Sequence, residues 1–401
     1  MRMIRKCSFL FFVIIEILVS FLICGCSKKT PVQAVYNYSL SPTQNKLVFP
    51  VDDNTYSFHQ ALFLYTDEKE NEYLIFQNGQ SSEILFYDLC DKKLVKRIKF
   101  NREGDNGVGT FYGFYFKNKD EIYLPSNSEA TIYQVNDQGK ILREIEYGEY
   151  AYPLPVLTTF AFSLSYVPFF FIDGDLYITQ RINPEYGDKI LDRSPTTLVV
   201  DTLRHTVKSS SFTFPLIVSS KEFYSGGKTF EYDYSRIFDG KQITYSFVYD
   251  EYIYITSIQN NLIEKVPVKS RYINSIKPPV FKDETYISYG KKICETESYG
   301  NLIYDKYRDV YYRFAYPKTE MEELKDYFEL FRFGRKCFSI IILDHDFNII
   351  GETPVFQDYS YVSRMFFVAK DGLYICNNNP FHENYDENVL SFQQFELQKT
   401  R

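Results

Sequence analysis

The first residue in this chain that could do chemistry is a thiol, Cys26. It closes the stretch Ile23-Cys24-Gly25-Cys26, after a basic start (Arg2, Arg5, Lys6) and an apolar run from Phe9 to Ile23. That is the layout of a secretory leader with a small residue before the cut. A Cys directly after the cut predicts lipid attachment at Cys26, which would become the mature N-terminus. The apolar run is shorter than the ~20 residues a spanning helix needs, and Glu16 interrupts it. The expected product is a soluble body hung from a membrane by more than one acyl chain, because a single chain binds a bilayer only marginally. Ser27-Lys28-Lys29-Thr30 follows the thiol, with no acidic run. This points to the outer membrane, facing the periplasm.

Three further stretches carry candidate binding groups. The loop Arg102 to Gly109 is glycine-rich and mixes charges at Arg102, Glu103 and Asp105 beside Asn106. Its backbone N–H groups could cradle an anion; the competing reading is a tight inter-blade turn. The segment Tyr304 to Arg313 holds Asp305, Arg308 and Arg313. These could cluster around an axis, or form a charge-paired hairpin that orders its neighbours. The long polar loop Asn377 to Asn388 carries His382 and Tyr385, and loops on rigid scaffolds often carry function; an ordinary solvated insertion is the competing reading.

Catalytic and metal patterns do not emerge. The four histidines (His59, His205, His345, His382) lie at no metal-ligand spacing from one another. There is no GxSxG elbow, Walker loop or dinucleotide fingerprint, so no metal or cofactor is expected and no catalytic residue is named. The net charge is −7, and −9 once the +2 of residues 1–25 is removed. An acidic body gives no footprint for nucleic acid.

The elements that must position these groups follow a repeat. An apolar run, a tight polar turn and an apolar-Tyr-apolar triplet recur, most clearly at Asp120-Glu121-Ile122-Tyr123-Leu124. The tyrosines fall at 73, 123, 177, 254, 311 and 374. Units of this size, each with several short strands, suggest propeller blades. One unit reads in full: strands Gly113–Phe116, Glu121–Leu124, Thr131–Val135 and Ile141–Tyr147, with the turn Asn136-Asp137-Gln138-Gly139 before the last. The sixth unit has only three strands, and Lys46–Phe49 is the expected fourth, closing the ring. The predicted architecture is all-β: a six-bladed β-propeller of four-stranded antiparallel blades over residues 46–401. Residues 1–25 are the leader and 26–45 a lipidated linker. A short helix is expected near 318–331, started by a capping box of Thr319 and Glu322. Cys90, Cys294, Cys337 and Cys376 remain in the body. Their even count permits disulfides in an oxidising compartment, but their spacing shows no framework, and free thiols are the default reading.

The chain resembles a family of uncharacterised lipoproteins of Gram-negative, gut-type bacteria with a six-bladed, propeller-like fold. The likeness is carried by Arg102-Glu103-Gly104-Asp105-Asn106-Gly107-Val108, by Phe170 to Tyr177, and most specifically by Ile303 to Phe314. Phe338 to Glu352 and Leu390 to Leu397 also fit. The resemblance implies the fold and an envelope location, and no catalytic residues. The functional expectation is a non-enzymatic envelope module that binds a protein or carbohydrate partner. The alternative is a hydrolase or lyase acting on glycan or peptide in the central pocket. A third reading is a sensor accessory to a membrane receptor.

Overall fold

The computed structural model describes residue 34 and residues 36–400, except 57, 60, 79–80, 152–160, 182–192, 205, 216–232 and 280–284. Cys26, its leader, the start of the expected linker and His205 lie outside the described residues.

Among the described residues twenty-four strands form six four-stranded antiparallel sheets, the blades of a propeller. The first strand, β1 (Tyr38–Pro50), belongs to the last blade. Blade one is β2 (Leu62–Thr66), β3 (Glu72–Asn78), β4 (Glu83–Asp88) and β5 (Lys93–Lys99). Blade two is β6 (Tyr115–Asn118), β7 (Glu121–Pro125), β8 (Thr131–Val135) and β9 (Ile141–Glu146). Blade three is β10 (Phe170–Ile172), β11 (Asp175–Thr179), β12 (Thr197–Asp201) and β13 (Thr206–Ser209). Blade four is β14 (Tyr234–Phe238), β15 (Ile243–Phe247), β16 (Tyr252–Thr256) and β17 (Leu262–Pro267). Blade five is β18 (Ser298–Asp305), β19 (Val310–Tyr316), β20 (Ser339–Leu343) and β21 (Ile349–Glu352). Blade six joins β22 (Val362–Ala369), β23 (Gly372–Cys376) and β24 (Val389–Lys399) to β1.

Burial explains why the strands differ in pattern. Middle strands are covered on both faces by neighbouring blades, so they read as unbroken apolar runs; every residue of β20 is buried. Outer strands keep one wet face and alternate, as β9 does, and exposed lysines guard β5. The ring closes where β1 pairs with β24, Leu40 opposite Leu397 and Phe49 opposite Leu390. The closing strand begins at Tyr38, eight residues before the predicted Lys46, so the residues just upstream of the predicted boundary are strand rather than linker.

The repeated tyrosine has a physical reason. Its ring packs between blades, and in several blades its hydroxyl reaches a carboxylate near the preceding turn, whereas that of Tyr177 bonds Ile258 O at 2.9 Å. Tyr374 bonds Asp371 at 2.8 Å, Tyr123 bonds Glu121 at 3.2 Å, and Tyr254 bonds Asp250 at 2.5 Å. In five blades the repeated tyrosine lies on the second strand. Tyr254 lies on the third strand of its blade, and Tyr245 occupies the second. That offset accounts for nine residues of the wide gap after Tyr177 (254 − 245).

One helix precedes blade five and a second lies between its second and third strands. Helix α1 (Tyr286–Glu295) starts at Thr285, whose hydroxyl accepts from Ser288 N at 3.2 Å. Helix α2 (Tyr327–Phe333) starts at Asp326, which accepts from Phe328 N and Glu329 N at 2.8 and 3.2 Å. The helix expected near 318–331 therefore begins later than predicted, and the Thr319–Glu322 box does not form. Thr319 donates to Pro317 O at 3.1 Å, and the Glu322 carboxylate takes Lys336 at 2.8 Å together with the Tyr359 hydroxyl. With Glu322 engaged there, Asp326 caps the helix. All four body cysteines are free; Cys90 is exposed and the other three are buried.

Candidate functional site

The first strand of each blade faces the axis, and six strands converging there leave little space. Small polar side chains fill the gap and bridge the strands. Ser165 Oγ donates to Leu62 O at 2.9 Å and accepts from Leu62 N at 3.0 Å, joining blade three to blade one. Ser235 Oγ donates to Tyr166 O at 2.6 Å and accepts from Leu302 N at 2.9 Å. Asn301 Nδ2 donates to Ser363 O at 2.6 Å. Gly113 lies so close to Ser163 that a Cβ would sit 1.8 Å from its carbonyl oxygen, at a φ of +75°.

Two cavities lie along these inner strands, and they differ in size and in the charged side chains that line them. Toward the end where the strands finish is a largely apolar cavity of about 320 Å³, walled by Leu62, Phe238, Ile303 and Phe366 among others, with Lys306 among its lining residues. Toward the end where the strands begin is a smaller cavity of about 20 Å³ that gathers several charged side chains. Tyr166, Asp233, Asn301, Tyr316, Phe331, Arg335 and Arg364 line it. They come from blades three to six.

Local structure places each arginine. Helix α2 ends at Gly334, whose φ of +134° brings it against Ser363; a Cβ there would meet Ser363 Oγ at 2.0 Å. This turn delivers Arg335 to the cavity. Arg335 is only 4 % exposed, and its one described hydrogen bond runs from Nη1 to Gly334 O at 3.0 Å. Its Nε is buried without a partner. Its guanidinium lies 4.6 Å from the Phe331 ring centre and 5.2 Å from that of Tyr316. Arg364, half-buried on β22, lies 4.5 Å from Phe331 and 5.2 Å from Tyr166. Among the described residues neither guanidinium meets a carboxylate. Opposite them Asp233 holds Arg181 at 2.7 Å, and Arg181 rests on Phe162 at 4.4 Å. Burial pushes the Tyr166 hydroxyl above its ordinary pKa, with Arg364 opposing and Asp233 adding to the shift. The Tyr316 hydroxyl meets Ser363 Oγ at 2.9 Å. The arrangement presents positive charge in a small, partly open pocket.

The nine body residues singled out from sequence sit elsewhere, at three junctions. Arg102, Glu103 and Asp105 are exposed. Arg102 donates to Ser82 Oγ at 2.8 Å. Asn106 clamps the β8–β9 turn, donating to Gly139 O at 2.9 Å and accepting from Ile141 N at 2.8 Å. The loop is thus an inter-blade tie. Asp305 is fully buried and accepts from Arg308 Nη1 and the Tyr312 hydroxyl at 3.2 and 3.1 Å. Burial raises its pKa against the pull of Arg308. Arg308 also donates to Ala369 O of blade six. Arg313 points to blade four instead, donating to Ser246 Oγ and to the carbonyls of Asp250, Glu251 and Val268 at 2.6–3.0 Å. It lies 3.6 Å from the Tyr299 ring centre, and burial lowers its pKa to about 10. These three groups order neighbouring blades and do not surround the axis. His382 caps its own loop by accepting from Asn384 N at 3.2 Å. Tyr385 lines a shallow cavity with Asp52, Asp53 and Glu387.

Comparison with known proteins agrees with this architecture. A family model described as a domain of unknown function, DUF4221, matches residues 37–354. The chain belongs to the DUF4221 family. It is similar to a solved DUF4221 member from Bacteroides vulgatus ATCC 8482, at 27% identity and a TM-score of 0.78, over 91% of this chain and 99% of that one. It also shares its fold with a Bacteroides fragilis NCTC 9343 protein whose name marks it as exported, at 15% identity and a TM-score of 0.51. That match covers 93% of this chain and 98% of the other. No curated protein matches the chain. The DUF4221 match spans β1 and blades one to five, and so includes every lining residue of the smaller cavity except Arg364.

Proposed function

We propose that this DUF4221 chain is a non-enzymatic binding module of the cell envelope, tethered through Cys26, that captures a negatively charged ligand group at the axial end where the inner strands begin. One observation carries the reading. Arg335 is buried in the axial cavity with an unbonded Nε, and Arg364 stands beside the same ring without a carboxylate. A buried donor left unpaired costs about 1–3 kcal/mol, more when the group is charged. A fold that keeps one such guanidinium buried, with a second, half-buried one on the same wall, is arranged to be completed from outside. Aromatic rings hold both in place, so little ordering is left for the binding step. The tether rests on the leader sequence and on the thiol that closes it.

The test is a thermal-shift screen of full-length protein in detergent against acidic, neutral and basic oligosaccharides, peptides and small acids. Wild type is compared with the Arg335→Gln/Arg364→Gln double variant. Acidic compounds that stabilise only the wild type are the expected result. Ligands that stabilise both proteins equally would refute the site, and turnover of any compound would move the reading to the hydrolase or lyase class. Cys26→Ala should shift the protein from the membrane fraction to the soluble fraction; tight membrane association of that variant would refute the lipid tether.

A further inference from the structure

We infer that the axial cavity takes the carboxylate of a polyhydroxylated acid, a sugar acid, rather than a phosphate or sulfate. This rests on the binding reading above and deepens it. Size comes first. A buried water needs about 10–15 Å³ of such space, so a cavity of about 20 Å³ admits one or two oxygen atoms. A carboxylate presents two oxygens in one plane at its tip. A phosphate or sulfate group is tetrahedral and needs the walls to part.

Geometry agrees. Aromatic rings lie against the guanidiniums of Arg335 (Phe331 and Tyr316) and Arg364 (Phe331 and Tyr166). What remains for bonding is the N–H edge, and that planar fork matches a carboxylate. Charge narrows the class further. Asp233 lines the same cavity, 7 % exposed, with one oxygen held by Arg181. Its carboxylate disfavours a second negative charge on the ligand, which a phosphate monoester carries in part near neutral pH. It also provides an acceptor for a hydroxyl next to the acid. An acid flanked by hydroxyl groups satisfies both walls.

The experiment is calorimetric titration of full-length protein in detergent with glucuronate, glucose, propionate, inorganic phosphate, sulfate and N-acetylalanine. Glucuronate should bind more tightly than any of the others. Arg364→Gln should weaken it roughly tenfold or more, the scale of a charge-assisted hydrogen bond. Arg364 is only half-buried, so this variant keeps the test valid if Arg335→Gln fails to fold. Asp233→Asn should erase the preference for glucuronate over propionate. Tighter binding of phosphate or sulfate would overturn the carboxylate assignment and leave the anion-binding reading standing. Equal binding of N-acetylalanine would overturn the sugar-acid class in favour of a peptide terminus. Glucose binding as tightly as glucuronate, or glucuronate binding unchanged in Arg364→Gln, would overturn this inference and the proposed site together.

Discussion

His59 makes stability depend on pH in a way that can be worked out from its surroundings. The ring is 2 % exposed and stacks on Phe76 at 4.0 Å between centres. Its Nδ1 lies 2.9 Å from Gln77 O, so that nitrogen carries the proton, and its Nε2 is buried without a partner. A second proton would sit on Nε2 with nothing to receive it. Burial accordingly lowers the pKa from 6.5 to about 4. The unfolded chain takes up the proton below pH 6.5 and the folded chain only near pH 4. Stability is therefore complete above pH 6.5 and falls as pH drops through that window. At 1.36 kcal/mol per unit the full loss is about 3 kcal/mol, with about 2 kcal/mol gone by pH 5. Urea unfolding of wild type and His59→Phe at pH 7.5, 6 and 5 measures it. The wild type should lose about 2 kcal/mol more than the variant between the first and last of these. A difference between the two proteins that stays constant across the range would refute the argument, because it would mean His59 contributes packing alone.

Arg313→Met should destabilise the fold by about 3–5 kcal/mol, since it strands several carbonyls at the junction of blades four and five; chemical denaturation reads this out, and a loss below about 1 kcal/mol would show that water replaces the guanidinium. Deleting residues 36–50 removes β1 and exposes the edge of β24, so the product should aggregate or lose cooperative unfolding; a monomeric product with an unchanged melting temperature would refute ring closure by this strand. In protein beginning at Ser27 a thiol reagent should titrate one cysteine, Cys90, before unfolding and four after it. Burial pushes Cys376 up to about 12, which makes it the slowest to react.

The fold was legible because its signals are local. Asn136-Asp137-Gln138-Gly139 is a hairpin turn wherever it occurs, and Gly139 takes the positive φ of +74° that the turn requires. Thr131–Val135 was placed to the residue, and Glu121–Leu124 and Ile141–Tyr147 to within one at their ends. Even ring closure could be anticipated, because a blade with three strands lacks an outer strand. Helix α1 was harder to see. It covers Tyr-Ile-Ser-Tyr-Gly-Lys-Lys-Ile-Cys-Glu, in which Tyr, Ile and Gly are poor helix formers. Packing against α2 overrides that preference, and Gly290 is needed because a Cβ there would sit 2.9 Å from Tyr327 Cβ.

The site was far less legible, for a reason set by the architecture. Charge density along a sequence marks hairpin tips and junctions, and so it drew attention to Arg102–Asn106 and Asp305–Arg313, where blades are tied together. A propeller's axis collects residues that are distant in the chain: Tyr166, Asp233, Asn301, Arg335 and Arg364 meet only after four blades have folded. Local pattern reading sums over a few neighbours and cannot register such convergence. One signal was nevertheless present. Ser363-Arg364-Met365 opens a strand whose other residues are almost all apolar. A cation among residues destined for a shared core must either find a partner or be kept for one. Arg313 and Arg236, both fully buried, bond hydroxyls and carbonyls of the adjacent blade, although Arg236 Nε is left unpaired. Among the described residues Arg335 bonds only the carbonyl of its neighbour Gly334, and Arg364 ties no other blade. All four guanidiniums lie near aromatic rings, so it is the hydrogen bonds to a second blade that separate the scaffold arginines from those at the axial cavity.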